Sequence, residues 1–501
     1  MAKNKTYEQL ETRLAEIADL GQVSSVIGWD QQVMMPEGSG ALRANQRATL
    51  TRVLYELFTS PEMGRLLDGV RSYEESLDPD SDEASTIRVA RRDYEKAVRV
   101  PSELRAEISR ASSEGLQVWA KAKDASDFAT FLPALERAVE LRQRYIDCFD
   151  DFDERYDVLL DDFEPNMKSA EVRAVFERLK ADLVPLIKAL GEGDTDDGFL
   201  TGHFPIERQQ AIAHEVLNLF GLKPDTWRLD HTRHPFVGGP GGDDVRITTH
   251  YRESDLDSFF ATMHEYGHAL YENQIPQHLV RGVLGTGVSL GVHESQSRMW
   301  ENLVGRGRPF WTFFYPRLQE TFPEQFADVE PDRFYAAVNR VHPSLIRIHA
   351  DEVTYNMHII LRFELEQDMI EGRVELRDLP EEWNRRMHEY LGIDVPDDAR
   401  GVLQDMHWGG GHIGYFSTYA LGNVMSVQIW ERVKEDVPDL EEQFERGDFS
   451  ALRDWLGERL HSLGRKFAPQ DTLERITGSR IDPAPYLQYL QTKHGAGQAT
   501  R

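Results

Sequence analysis

The pentapeptide His264-Glu265-Tyr266-Gly267-His268 must be helical if its two histidines are to act together. A spacing of four places them one turn apart on one face, where both rings reach a single metal ion. Glu265 then lies beside that ion rather than on it, placed to take a proton from a water the ion activates. The flanks agree with this reading: Leu256, Phe259, Phe260, Met263, Leu270 and Tyr271 recur with helical spacing, and no proline interrupts residues 253 to 275. A mid-helix metal pair with its own base is the combination that zinc peptidases use.

Helical periodicity also fills the N-terminal third, at Tyr7 to Leu20, Ala41 to Phe58, Asp82 to Val98, Pro101 to Lys123, Phe128 to Tyr145 and Ser169 to Leu190. It covers Asp255 to Gln274 and returns at Glu294 to Val304, Ser344 to Ile370, Pro380 to Leu391, Tyr415 to Val433 and Leu452 to Leu463. Pro101 belongs in the first turn of one helix, and Asp127 can cap the next. The best strand signal is Val245 to Tyr251, β-branched and aromatic, after the turn-rich run Gly238-Gly239-Pro240-Gly241-Gly242. That run reads equally as the lip of a cleft or as a surface loop, and Asp230 to Arg233 equally as groove lining or as a solvated turn. The expected fold is mainly α, with a small sheet near the metal helix.

Charge and cysteine count narrow the function. Eighty-six acidic residues against 57 basic ones leave a net charge of -29, which opposes binding to nucleic acid or to an anionic membrane. No apolar segment suits a signal peptide or a membrane span, so the expected location is cytoplasmic. The lone Cys148 excludes an intramolecular disulfide and a cysteine-based zinc cluster. Residues 1 to 5 and 494 to 501 read as disordered tails.

Two histidines leave a catalytic zinc one protein ligand short. Glu294, 26 residues after His268 and at the start of a helical pattern, is the candidate for the third; the plainer reading is a first-turn charge favoured by the helix dipole. The same two-histidine, one-glutamate set also accepts cobalt or manganese.

At these residues the chain resembles the carboxypeptidase Taq family of metallopeptidases. The likeness runs through His234-Pro235-Phe236, Asp244-Val245-Arg246-Ile247-Thr248, the pentapeptide, His293-Glu294-Ser295-Gln296, Ile346-Arg347-Ile348-His349-Ala350-Asp351 and Gly401-Val402-Leu403-Gln404-Asp405-Met406-His407-Trp408. Trp29-Asp30-Gln31-Gln32 with Met35-Pro36 extends it to nearly the whole chain. The resemblance implies one metallocarboxypeptidase domain over residues 1–501, a two-lobed helical fold with a deep active-site groove like that of neurolysin, and a homodimer. It implies removal of C-terminal residues from peptides, with broad tolerance except for proline. His264, His268 and Glu294 would hold the metal, and Glu265 would be the base.

The stretch Gly414-Tyr415-Phe416-Ser417-Thr418-Tyr419 resembles a tyrosine-rich segment of neurolysin-like enzymes, which makes Tyr419, then Tyr415, candidate donors to a tetrahedral oxyanion, with His407 assisting. A free C-terminal carboxylate calls for a guanidinium, for which Arg246 and Arg347 are candidates, although Arg347 and Asp351 are also spaced for an intrahelical ion pair. His234 and His349 would line or support the substrate site, and Pro235 and Phe236 would shape its wall. Two rivals remain: an endo-acting oligopeptidase on the same scaffold, and a non-catalytic helical peptide-binding protein with a structural metal.

Overall fold

The computed structural model describes residues 4–190 and 197–495. The expected tails beyond them, residues 1–3 and 496–501, lie outside the described residues. Lys5 and His494, assigned to tails on composition, are structured: Lys5 opens the first helix, and His494 lies 3.6 Å from Glu352.

The chain is mainly helical, and several helices begin at a capping side chain or a proline. Asn4 caps Lys5–Val33 by accepting from the backbone amides of Thr6 and Tyr7. Asp127 caps Phe128–Ile146 through the amide of Ala129, and Pro101 stands just before Ser102–Ala125. Buried residues from Val100 to Leu490 form one continuous core, while Tyr7, Leu10, Leu14, Met63, Leu67 and Ile87 make a smaller cluster at the N-terminal end. Gly40–Phe58 packs on the first helix without burying any residue fully.

Two expectations fail. The helix forecast for Ser344 to Ile370 begins only at Tyr355, after a single 3-10 turn at Arg347–His349. The cause is Asp351, whose carboxylate accepts from the amides of Val353 and Thr354, from the Thr354 hydroxyl and from the amide of His342. A side chain that captures backbone donors in this way stops a helix from running through it. The Arg347–Asp351 pair is therefore absent, and Arg347 turns to Asp405. The second failure is the surface-loop reading of the glycine run: Gly238 to Gly241 belong to a strand, and that strand borders the cavity described below.

The sheet has three strands in the order β1-β3-β2, with β1 Trp227–His231 parallel to the central β3 Asp244–Thr249 and β2 Val237–Gly241 antiparallel to it. An irregularity between Gly238 and Gly241 absorbs Pro240, which has no amide for a ladder. Val245 and Ile247 are fully buried. Asn273, near the end of the helix that carries the pentapeptide, donates to the carbonyl of Gly242 and so fastens the β2–β3 turn to that helix.

Candidate active site

The pentapeptide lies inside the helix Asp257–Gln274, here called the metal helix. Phe259, Met263, Tyr266 and Leu270 are buried at helical spacing and anchor its rear face, where Tyr266 packs against Phe220 and Trp300 at centroid distances of 5.2 and 4.8 Å. Truncating a core side chain such as Met263 costs about 2 to 5 kcal/mol, ample to tilt the helix. A second helix, Leu290–Arg298, presents Glu294 and continues into a wider π turn at Met299–Val304.

Small residues let these helices meet. A Cβ on Gly267 would stand 2.3 Å from the carbonyl oxygen of Gln296, so the fourth residue of the pentapeptide has to be glycine for the Glu294 helix to approach. On the other side a Cβ on Gly422, in the helix Ser417–Asp436, would stand 2.6 Å from Cβ of Glu294. The Glu294 helix is thus clasped between two glycine contacts, Gly267 at Gln296 and Gly422 at Glu294 itself, which is buried.

The result fits a metal ion. Glu294 Oε2 lies 3.6 Å from His264 Nε2 and 3.5 Å from His268 Nε2, and ligand atoms of all three residues lie within 4.8 Å of one another. Tetrahedral bonds of about 2.0 to 2.1 Å place ligand atoms about 3.4 Å apart. Each of these three candidate ligands also has an outer partner. His264 Nδ1 meets Glu301 Oε2 at 2.8 Å. His268 Nδ1 meets His293 Nδ1 at 2.9 Å, and His293 Nε2 meets Glu272 Oε1 at 2.7 Å. With the Nε2 lone pair of His268 turned to a metal, its Nδ1 proton is donated to His293, whose own Nε2 proton is donated to Glu272. That order fixes both tautomers. Arg298 donates to Glu294 at 2.7 Å and to Glu301 at 3.2 Å, and Arg306 donates to Glu301 at 2.8 Å.

The electrostatics follow from this network. Burial alone would raise the Glu294 and Glu301 carboxyls, but Arg298 and the nearby cationic groups outweigh it and hold both well below the usual carboxylate range. Burial pushes His268 down to about 4. At Glu265 burial dominates, joined by the charges of Glu294 and Glu301, and its carboxyl is pushed up to about 7.

A cavity of about 530 Å³ opens over these groups, lined by His264, Glu265, His268 and Glu294, by Pro235 to Gly241, and by Tyr415, Thr418 and Tyr419. Tyr419 donates to the Tyr415 hydroxyl at 3.4 Å. His407 packs at 5.2 Å from the ring of Tyr415, and burial lowers it to about 4.

The two candidate arginines differ. Arg246 forms a paired bond to Asp244 at 2.9 and 2.8 Å beneath Trp29, whose ring is 4.4 Å away. Arg347 is buried, donates to Asp405 at 2.8 Å and to the Tyr355 hydroxyl at 3.0 Å, and lies 5.1 Å from the ring of Tyr419. His234 and His349 are exposed, and neither they nor Arg246, Arg347 and His407 are among the residues that line the cavity; Arg347 and His407 stand behind Tyr415 and Tyr419.

Sequence reasoning overlooked Glu272, Arg298, Glu301, Tyr355 and Arg362. A signal existed for three of them. Glu272 falls one turn after His268, and Arg298 and Glu301 fall one and two turns after Glu294, so each shares a face with a ligand.

The comparisons with known proteins agree with this geometry. Residues 9–494 match the model of the carboxypeptidase Taq (M32) metallopeptidase family. The chain is 40% identical to thermostable carboxypeptidase 1 of Thermus thermophilus over 99% of both chains, and 36% identical to carboxypeptidase 1 of Bacillus subtilis over 98% of both. Among solved structures, it superposes on the M32 carboxypeptidase from Deinococcus radiodurans with a TM-score of 0.94 at 40% identity, covering 98% of this chain and 99% of that one. The carboxypeptidase of Pyrococcus furiosus gives 0.95 at 35% identity with the same coverage. With a buried Glu294 facing two half-buried histidines and matches running nearly end to end, the chain belongs to the carboxypeptidase Taq (M32) family, and the protein is a metallocarboxypeptidase that uses a divalent metal.

Proposed function

We propose that the protein is a zinc carboxypeptidase releasing C-terminal residues from peptides one at a time, with Glu265 as its base. The observation that carries this reading is the near-tetrahedral spacing of His264, His268 and Glu294 with Glu265 buried beside them. A divalent ion in that set supplies acidified water and a polarised carbonyl. Zinc is favoured over cobalt or manganese by the nitrogen-rich, three-residue donor set.

Glu265 takes the proton of the attacking water and carries it to the leaving amine nitrogen. A buried carboxylate beside the attacking water can both accept and return a proton. Tyr419 turns its single hydroxyl proton from Tyr415 to the oxygen that gains negative charge, and the Tyr415 hydroxyl can then donate to Tyr419 in return; His407 supports the pair as an uncharged ring.

Arg347 rather than Arg246 is proposed to receive the substrate carboxylate. Arg246 is neutralised one for one by Asp244. Asp405, by contrast, serves both Arg347 and Arg362, which leaves one buried positive charge unbalanced beside the tyrosines. A buried uncompensated charge is costly, and an incoming carboxylate removes that cost. We further propose that residues 1–501 act as one catalytic unit, that broad specificity stops short of proline, that the protein is cytoplasmic, and that it works as a homodimer. Among the described residues, no helix is long and apolar enough to cross a membrane.

The test is a peptide ladder with free or amidated C-termini, run with metal-free enzyme reconstituted with zinc, cobalt or manganese. Stepwise release from free ends alone supports the reading. Internal cleavage of amidated peptides would favour the endo-acting alternative.

A further inference from the structure

We propose that Tyr355 is a positioning residue that ties the metal site to the arginine receiving the substrate carboxylate. The inference rests on the assignment of that role to Arg347. Tyr355 opens the helix Tyr355–Glu371 and is buried, with 5% of its surface exposed. It is absent from the cavity lining, so it acts through its neighbours.

Two guanidinium groups meet this one side chain. Arg298 lies over its ring, 4.5 Å from the centroid, while reaching Glu294 and Glu301 with its own N–H groups. Arg347 donates from Nη1 to its hydroxyl at 3.0 Å, while Nε and Nη2 hold Asp405 Oδ1 at 3.1 and 2.8 Å. The Tyr355 ring also meets that of Tyr419 edge-on at 6.2 Å. A continuous path therefore runs from the metal ligand Glu294 through Arg298, Tyr355 and Arg347 to Asp405.

Each half of the side chain has its own task. The ring face braces Arg298, and thereby the Glu294 carboxylate, through cation–π contact and packing. The hydroxyl occupies one N–H of Arg347 and fixes the plane of its fork, on which paired recognition of a carboxylate depends. The distance between metal and carboxylate anchor would then be set by one rigid aromatic side chain, as cleavage one residue from the end requires.

Two substitutions separate the tasks. In zinc-loaded full-length enzyme, Tyr355→Phe keeps the ring and loses the hydroxyl. It is expected to raise KM for a free-ended peptide about tenfold, the equivalent of one weakened charged hydrogen bond, and to change kcat about twofold or less. Zinc retention against a competing chelator should stay at the wild-type level. Tyr355→Leu should in addition surrender zinc at about tenfold lower chelator concentration.

Arg347→Ala, measured alongside, distinguishes the failures. If Arg347→Ala raises KM and Tyr355→Phe does not, Tyr355 is idle and the proposal falls while the arginine assignment stands. If neither moves KM, both fall. Wild-type zinc retention in Tyr355→Leu overturns the bracing of Arg298. Should the leucine variant fail to fold, the phenylalanine arm still decides the role of the hydroxyl.

Discussion

The two sides of the cavity are built by different rules. On the metal side, the candidate ligands and their charged partners fall between residues 257 and 306, on two neighbouring helices and the turn that follows them, where Glu294 and Glu301 face Arg298 and Arg306. On the tyrosine side, Arg347, Tyr355, Arg362, Asp405, His407, Tyr415 and Tyr419 come from four separate segments, and two arginines share a single aspartate. A metal site has to be complete before the ion arrives, because misplaced ligands cost affinity directly. A substrate site benefits from a charge that only the substrate balances. Substitutions on the first side should therefore move metal content or kcat, and those on the second should move KM with the metal retained.

The largest effect expected is that of Glu265→Gln, which keeps the shape of the metal side but removes its base. The rate should fall about 10²- to 10⁴-fold while metal content stays stoichiometric. Preserved turnover in this variant would end the assignment of Glu265, and loss of metal would make it a ligand.

Next comes Glu301→Gln, which leaves all three ligands in place but weakens the acceptor for His264 Nδ1. Metal affinity should drop about 10- to 100-fold, read by competition with a chelator. Unchanged affinity would mean that His264 is oriented by packing alone, and the contrast between the two sides would lose its basis.

Arg347→Ala should raise KM for free-ended peptides about tenfold or more, in line with about 1.5 to 3 kcal/mol for a charged hydrogen bond, with full metal content. Arg246→Ala should do less, since Asp244 already neutralises that guanidinium. The reverse order of effects would move the carboxylate anchor to the sheet.

The same division explains what could be read from the chain. The metal helix and Glu294 were legible because spacing along a helix is spacing in space. Helix boundaries nearby came within a few residues for the same reason: Asp255 to Gln274 was expected and Asp257–Gln274 is found. The tyrosine side was legible as motifs but not as contacts. The partner of Arg347 is 58 residues away at Asp405, and helical spacing pointed instead to Asp351, whose carboxylate is taken up by the amides of Val353 and Thr354 ahead of the helix. Strand β2 was missed because Gly238 to Gly241 has almost no side chains from which to read alternation; its place is set by pairing with β3. Strand β1, too, depends on its neighbour, since Asp230 and His231 gave no apolar pattern.

The tyrosine side should also differ in its stability toward acid, an effect on folding that leaves catalysis at neutral pH untouched. His358, in the same helix as Tyr355, is fully buried, and burial followed by the charges of Arg362 and Arg347 pushes its imidazole down to about 3. Asp405 acts in the opposite direction but does not prevail. The unfolded chain, with an ordinary histidine near 6.5, binds this proton first. Stability from the neutral buried ring is thus fully present above about pH 6.5 and declines as pH falls toward 3, at up to about 1.4 kcal/mol per pH unit. His358→Gln should remove that one-proton slope from urea-unfolding free energies measured between pH 4 and 6.5. The metal-free enzyme is the form to use, so that acid release of metal from His264 and His268 does not add its own slope. If the variant keeps the wild-type slope, His358 is already protonated in the folded protein, and the tyrosine side carries one more positive charge than Arg347, Arg362 and Asp405 account for.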